Sequence, residues 1–268
     1  MLVGTVLIGL VAAVALLSLA WTPYPASELD IAHKLLPPSP GHWLGTDSLG
    51  RDVVSMLMAG SRASLAVGIA AVSIGLLLGS SLGLLAATRG GWVEAGVMRL
   101  ADFTFAFPAL LSAIMLAAVY GPGVATSIVA IGIFNVPVFA RLSRAAALGI
   151  LARDHVSAAR ALGVGTWGIV GRHVVPNIAA LLVVQASIQF ALAILAEAAL
   201  GYLGLGTQPP TPSWGRMLND AQQQLFNAPQ LAIWPGAAIA LTVLGLNLLG
   251  DGLRERLDPR AARRGLRR

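Results

Sequence analysis

The chain has 268 residues, 56% of them hydrophobic and only 11% charged, and its mean hydropathy is +0.77, which excludes an ordinary soluble globular protein. Cysteine is absent, so disulfides, thiolate metal sites and cysteine nucleophiles are excluded. The net charge of +6 rests on arginine, because Lys34 is the only lysine; the arginines cluster at the ends of apolar runs, which points to membrane orientation rather than nucleic acid.

In chain order, 2–20 is a first apolar run. Ser18-Leu19-Ala20 has the small-x-small form of a cleavage site, but no positive segment precedes the run, which reads as a transmembrane helix. The polar segment 21–62 follows. Its five prolines between Pro23 and Pro40 favour an extended path along a surface. Within 41–62, GHWLGTDSLGRDVVSMLMAGSR, Asp47-Ser48 can cap a short interfacial helix whose apolar face is Val53, Val54, Leu57 and Met58. Asp47, Arg51 and Asp52 read as a local salt-bridged cap or, alternatively, as a direct contact with a solute.

A second span, 64–87, carries Gly75, Gly79 and Gly83 as GxxxGxxxG, with Gly68 a heptad earlier, a smooth stripe for a neighbouring helix. The third, 100–119, is broken by Pro108, and Asp102 at its entrance has Arg99 as its expected partner at i−3. Gly121-Pro122-Gly123 turns the chain into a fourth span, 124–139, which holds Asn135 and Pro137 and exits at Arg141 and Arg144. The fifth span, 178–200, carries Gln185, Gln189 and Glu197 near one face, which must meet other helices or a wet cavity. The segment 203–230 contains Pro209, Pro210 and Pro212 and a stretch able to form a short amphipathic helix, with Trp214 and Arg216. A sixth span, 231–249, precedes a tail with seven arginines.

Between the fourth and fifth spans lies RDHVSAARALGVGTWGIVGRHVVPN, 153–177. Its spacing predicts a short helix, a glycine break at Gly163, and a second short helix ending near Pro176, together a knob on the membrane surface. Ser157-Ala158-Ala159, Gly163, Ile169 and Pro176 resemble the EAA loop of the inner-membrane subunits of ABC importers, with Ser157 standing where the family pattern has glutamate. The segments 41–62 and 203–230 and the closing stretch 247–260 are similar to the second membrane subunit of dipeptide, oligopeptide and nickel importers.

The resemblance implies an all-α membrane protein with six transmembrane helices, the type I ABC importer permease fold, and a cytoplasmic coupling helix. It divides the chain into an N-terminal helix with its outer segment (1–61), a permease domain (62–251) and a basic tail (252–268). It further implies a homologous permease partner, two ATPase subunits holding ATP and Mg, and an extracytoplasmic binding protein, around a subunit that sits in lipid in a bacterial inner membrane and handles no nucleic acid. Arg153, Asp154, Ser157, Ala158, Ala159, Arg160, Gly163 and Pro176 are then candidates for ATPase coupling. Asn135, Gln185, Gln189 and Glu197 are pathway candidates, and Asp47, Arg51, Asp52, Trp214 and Arg216 candidates for docking the binding protein.

Charge places the loops. Lys34, Arg51, Arg62 and Arg216 fall on one side; Arg89, Arg99, Arg141, Arg144, Arg153, Arg160, Arg172 and the tail arginines fall on the other, which the positive-inside rule assigns to the cytoplasm with both termini. No G-x-x-x-x-G-K-[ST] is present, so the sequence predicts no nucleotide site, and neither a metal helix nor a nucleophile paired with a base is visible. That reading makes the chain a non-enzyme without cofactor, catalytic residue or metal. The rivals are an ion-coupled secondary transporter using Asp102 or Glu197, and a membrane scaffold without flux.

Overall fold

The computed structural model describes residues 1–257. Arg260, Arg263, Arg264, Arg267 and Arg268, with the end of the 247–260 stretch, lie outside the described residues.

The run of apolar residues after Met1 forms α1 (Leu2–Ala20), long enough to cross a bilayer. The proline-rich segment that follows is irregular apart from a short 3₁₀ turn at Ile31–His33, in keeping with the expectation. The second helix departs from it. α2 (Val53–Ile74) is capped by Asp52, whose carboxylate accepts from Ser55 N at 2.8 Å. It continues through a π-turn, Gly75–Gly79, into α3 (Ser80–Arg89), one run of 37 residues. The separate interfacial helix expected around residue 53 is therefore the first turns of this span. Nothing between 53 and 64 breaks a helix, and a run of this length is about 55 Å at 1.5 Å per residue, well beyond the hydrocarbon core.

The third span breaks at Pro108 as expected. α4 (Gly91–Ala106) and α5 (Ala109–Tyr120) meet at 85°, with Phe107 extended (φ −99°, ψ 135°) because proline disfavours helical backbone at the residue before it. α6 (Val124–Leu151) runs through Pro137 and well past its expected end at 139. Arg141 and Arg144 do not terminate it: they pair with Asp102 and Glu94 of α4. Arg141 also stacks over Phe105, 4.5 Å from the ring centroid. Asp102 thus finds its partner one span later, not at Arg99.

Two short helices follow, α7 (Asp154–Ala161) and α8 (Thr166–Ile169); a second π-turn, Val170–Val174, joins α8 to α9 (Val175–Tyr202). Pro176 does not separate knob from span. It sits in the first turn after the π-turn, where its missing N–H breaks no regular ladder. The outer segment then supplies α10 (Trp214–Ala221), capped by Ser213, and α11 (Gln230–Leu257) closes the bundle. Five of these helical runs are long and apolar enough to cross a membrane, six when the bent pair counts as one span.

The glycine stripe sets the tightest packing. A Cβ on Gly75 would lie 2.3 Å from Asn135 Cβ, one on Gly79 2.4 Å from the Val136 carbonyl oxygen, and one on Gly83 2.3 Å from that of Ala140. The α2–α3 run and α6 are therefore in backbone contact, as small-residue stripes allow. Residues 79–83 also read G-x-S-x-G, but they lie within a helical run and serve this packing, not a strand-to-helix nucleophile elbow. α1 closes on α11 by the same device, since a Cβ on Gly4 would meet Leu249 N at 2.6 Å. The 61/62 boundary expected between outer segment and permease domain falls inside α2.

Candidate functional site

The knob is built on an apolar root. Val156 and Ala159 turn inward, where Val156 joins Ala147, Ile150, Ile169, Val174 and Ile178 in a buried cluster beneath α7. The opposite face, Arg153, Asp154, Ser157, Ala158 and Arg160, is exposed, as are Gly163 and Pro176. Ala159 alone among the expected coupling residues is turned to the interior; at 100° per residue it falls on the face of Val156. α7 ends in a Schellman pair, Val164 N donating to Ala159 O at 3.1 Å and Gly163 N to Arg160 O at 2.9 Å. That closure requires left-handed backbone at residue 163, and Gly163 has φ +83° with, among the described residues, no heavy atom beyond its chain neighbours within 4 Å of where a Cβ would stand. His155 and His173 lie with ring centroids 5.8 Å apart, bringing α7 against the second π-turn. The result is a rigid, polar, outward helix on an apolar footing.

The fifth-span polar residues divide into two groups. Gln185 Nε2 donates to Gln189 Oε1 at 3.3 Å, and Gln189 Nε2 donates to Asn135 Oδ1 of α6 at 2.7 Å. Asn135 and Gln189 line a cleft of about 690 Å³ between the α4–α5 bend, α6 and α9, walled by Phe105, Phe107 and Phe134. Glu197 is elsewhere. Its Oε2 accepts from Ser64 Oγ of α2 at 2.8 Å, and its side chain is wholly buried. Eight residues past Gln189 is about 80° around the helix, enough to turn the carboxylate from the cleft toward α2. Glu197 is a bond between helices, not a lining residue.

The outer segments form a brace that sequence proximity revealed only in part. Arg51 Nε donates to Asp47 Oδ2 at 2.7 Å, as a local cap would, but Arg51 Nη2 also reaches Asp220 of α10 at 2.9 Å, and Arg216 pairs with the same carboxylate at 2.9 Å. Burial works against the Arg51 charge, yet the hydrogen bonds and charges of Asp47 and then Asp220 outweigh it and hold the guanidinium above its ordinary pKa. Trp214 Nε1 donates to Leu57 O at 3.1 Å, fixing α10 to α2. Asp47, Arg51, Asp52 and Trp214 are thus buried and internally bonded, so these side chains do not present themselves to a docking protein; Arg216 is partly exposed. Replacing Arg51 by alanine would leave the enclosed Asp47 carboxylate without its cation and Asp220 with Arg216 alone. The expected cost is about 3 kcal/mol, seen as a lowered melting temperature in detergent and early proteolysis between 21 and 50.

The family model described as the inner membrane component of binding-protein-dependent transport systems matches residues 75–263. The chain belongs to that family. Among its relatives, the glutathione transport system permease protein GsiD of Pectobacterium atrosepticum is 47% identical over 83% of this chain and 74% of its own length. The dipeptide transport system permease protein DppC of Alkalihalophilus pseudofirmus is 40% identical over 97% of this chain and 85% of its own length. Among solved structures, inward-facing conformations of the MetNI methionine ABC transporter superpose with TM-score 0.61 at 20% identity, covering 76% of this chain and 96% of that one. The fold is that of a type I ABC importer permease, and the chain is a multi-pass permease subunit of an importer of this kind.

Two features of the sites were beyond the reach of the sequence. The bond from Arg51 to Asp220 spans 169 positions, and the aromatic wall of the cleft is assembled from Phe105 of α4, Phe107 in the break before Pro108 and Phe134 of α6. Pro108 was the local signal for the bend, since proline disfavours helical backbone at the residue before it.

Proposed function

We propose that this chain forms half of the translocation pathway of an ATP-driven importer of short peptides, coupled to its ATPases through the 153–177 knob. The observation that carries the reading is α7 itself, a helix whose apolar side is rooted between α6 and α9 and whose polar side is free. A force applied to that polar side is delivered into two pathway helices. Arg153, Asp154 and Arg160 supply charge for an ATPase cleft, and Gly163 lets backbone approach closely. With Ser157 in place of an acid, one ion pair is missing from that contact.

In this reading ATP and Mg are held by the partner ATPases, and this chain performs no hydrolysis. The homologous partner permease covers the cleft side, and the binding protein docks on exposed residues of the outer segments, such as Trp43 and Phe226. Charge counting supports cytoplasmic termini and a cytoplasmic knob. Peptide substrates are supported by the glutathione and dipeptide relatives, and by a cleft that offers aromatic and amide surface but no charged side chain. A hydrated metal ion would find little to bind there.

The test is uptake by proteoliposomes holding the whole complex, with labelled dipeptide, glutathione or chelated nickel supplied with the binding protein. Peptide accumulation that requires ATP on the ATPase side is expected. Accumulation driven by an ion gradient without ATP would assign the chain to secondary transport instead.

A further inference from the structure

The polar pair in the cleft has a direction. Gln185 donates to Gln189, and Gln189 donates to Asn135, so the carbonyl oxygens of Gln189 and Asn135 are each occupied by the N–H group before them. The series ends at Asn135 Nδ2, which has no acceptor among the described residues. Asn135 is only 5% exposed, and a buried amide donor without a partner is uncommon enough to need a reason. Gly75 on the far side cannot supply an acceptor side chain; a Cβ on it would stand 2.3 Å from Asn135 Cβ. On the near side lies the cleft of about 690 Å³, lined by phenylalanines and aliphatic residues, with no ionisable group.

We propose that Asn135 Nδ2 donates to the amide carbonyl oxygen of a substrate passing through this cleft, making Asn135 a specificity-determining residue. The proposal rests on the reading that short peptides are transported. At Nδ2 itself a neutral peptide carbonyl is a better partner than the dipeptide's own terminal carboxylate, because among the described residues no cation lines the cleft to offset desolvation, and the charged termini stay in water at the open side. A neutral peptide group suits it: the carbonyl completes the donor series and the flanking side chains meet phenyl rings. Nδ2 is shielded from water in this conformation, so the contact forms when the wall at the 85° bend between α4 and α5 moves aside. A single neutral hydrogen bond is strong enough to favour a peptide and weak enough to release it.

The experiment compares uptake of alanyl-alanine, its thioamide analogue and its N-methyl amide analogue by proteoliposomes containing the complete importer. Each probe is supplied above its separately measured affinity for the binding protein. Thioamide sulfur is a much poorer acceptor in nearly the same shape. Wild type is expected to move the dipeptide about three- to tenfold faster than the thioamide. Asn135→Asp keeps the shape but removes the donor, and Asn135→Leu removes both functions; each should abolish the difference while still co-purifying with the partner subunits. Equal rates for dipeptide and thioamide in wild type would overturn the proposal. So would discrimination against the N-methyl probe alone, which would mean that the amide series runs the other way. Loss of assembly in both variants would overturn it as well, marking Asn135 as a contact that holds the partner permease rather than one that reads substrate. Failure of wild type to move any of the three would remove the peptide reading itself, and this inference with it.

Discussion

An importer carrying Gly163→Arg is expected to assemble in the membrane and to lose ATP-driven uptake. The substitution is aimed outward. Among the described residues, no heavy atom beyond its chain neighbours lies within 4 Å of the position a Cβ would take, so the new side chain disturbs no packing there. Its intrinsic cost is the left-handed backbone at φ +83°, about 1–2 kcal/mol for a residue with a Cβ, which a large helical bundle tolerates. What it blocks is the close approach of another protein to the end of α7. A contact of this kind at an interface centre is worth about 2 kcal/mol or more, roughly thirtyfold in ATPase association. Gly163→Ala separates the two effects, because it carries the backbone strain with little bulk. It should retain most of the uptake. Co-purification of the ATPase and hydrolysis stimulated by binding protein are the measurements, and equal loss in both variants would place the defect in α7 folding rather than in docking.

Gly79→Leu is expected to do the opposite, destroying the bundle from an interior packing contact. A Cβ there would be 2.4 Å from the Val136 carbonyl oxygen and 2.8 Å from Phe139 Cβ, and a backbone oxygen cannot step aside. Separating the α2–α3 run from α6 to admit the side chain also draws Gly75 from Asn135 and Gly83 from Ala140 along the same stripe. The cost should exceed about 3 kcal/mol, the upper range for overpacking, and little monodisperse protein should survive extraction in detergent. Gly9→Leu in α1 is the matched control, since nothing lies within 4 Å of its Cβ position. If both variants behave alike in size-exclusion chromatography, glycine packing does not hold α2 and α6 together.

Periodicity and backbone chemistry carried much of the architecture. The stripe at Gly75, Gly79 and Gly83, the break at Pro108 and the glycine closure of α7 are local, because each follows from what one residue type permits. What escaped was pairing at a distance. Arg99 is the neighbour of Asp102 on its own helix, yet the carboxylate goes to Arg141, 39 positions away, because packing of α4 against α6 brings that guanidinium closer. Arg51 looked like half of a local cap and is also the link from the outer segment to α10. Glu197 looked like part of the Gln185–Gln189 face, but the drift of a helix over eight residues turned it to Ser64. Exposure was the other blind spot: Asp47, Arg51, Asp52 and Trp214 have the character of recognition residues and spend it inside the chain.

The most direct measurement exploits the absence of native cysteine. Ala158→Cys on the free face of α7 and Phe226→Cys on the exposed segment before α11 would each be the only thiol in this chain. One span, α9, separates the two positions, which places them on opposite sides of the membrane. In the assembled importer, a short bifunctional reagent should join position 158 to an ATPase subunit, with a yield that changes on adding ATP, while position 226 should join only the binding protein. An ATPase cross-link at 226 and none at 158 would contradict both the orientation and the coupling role of the knob.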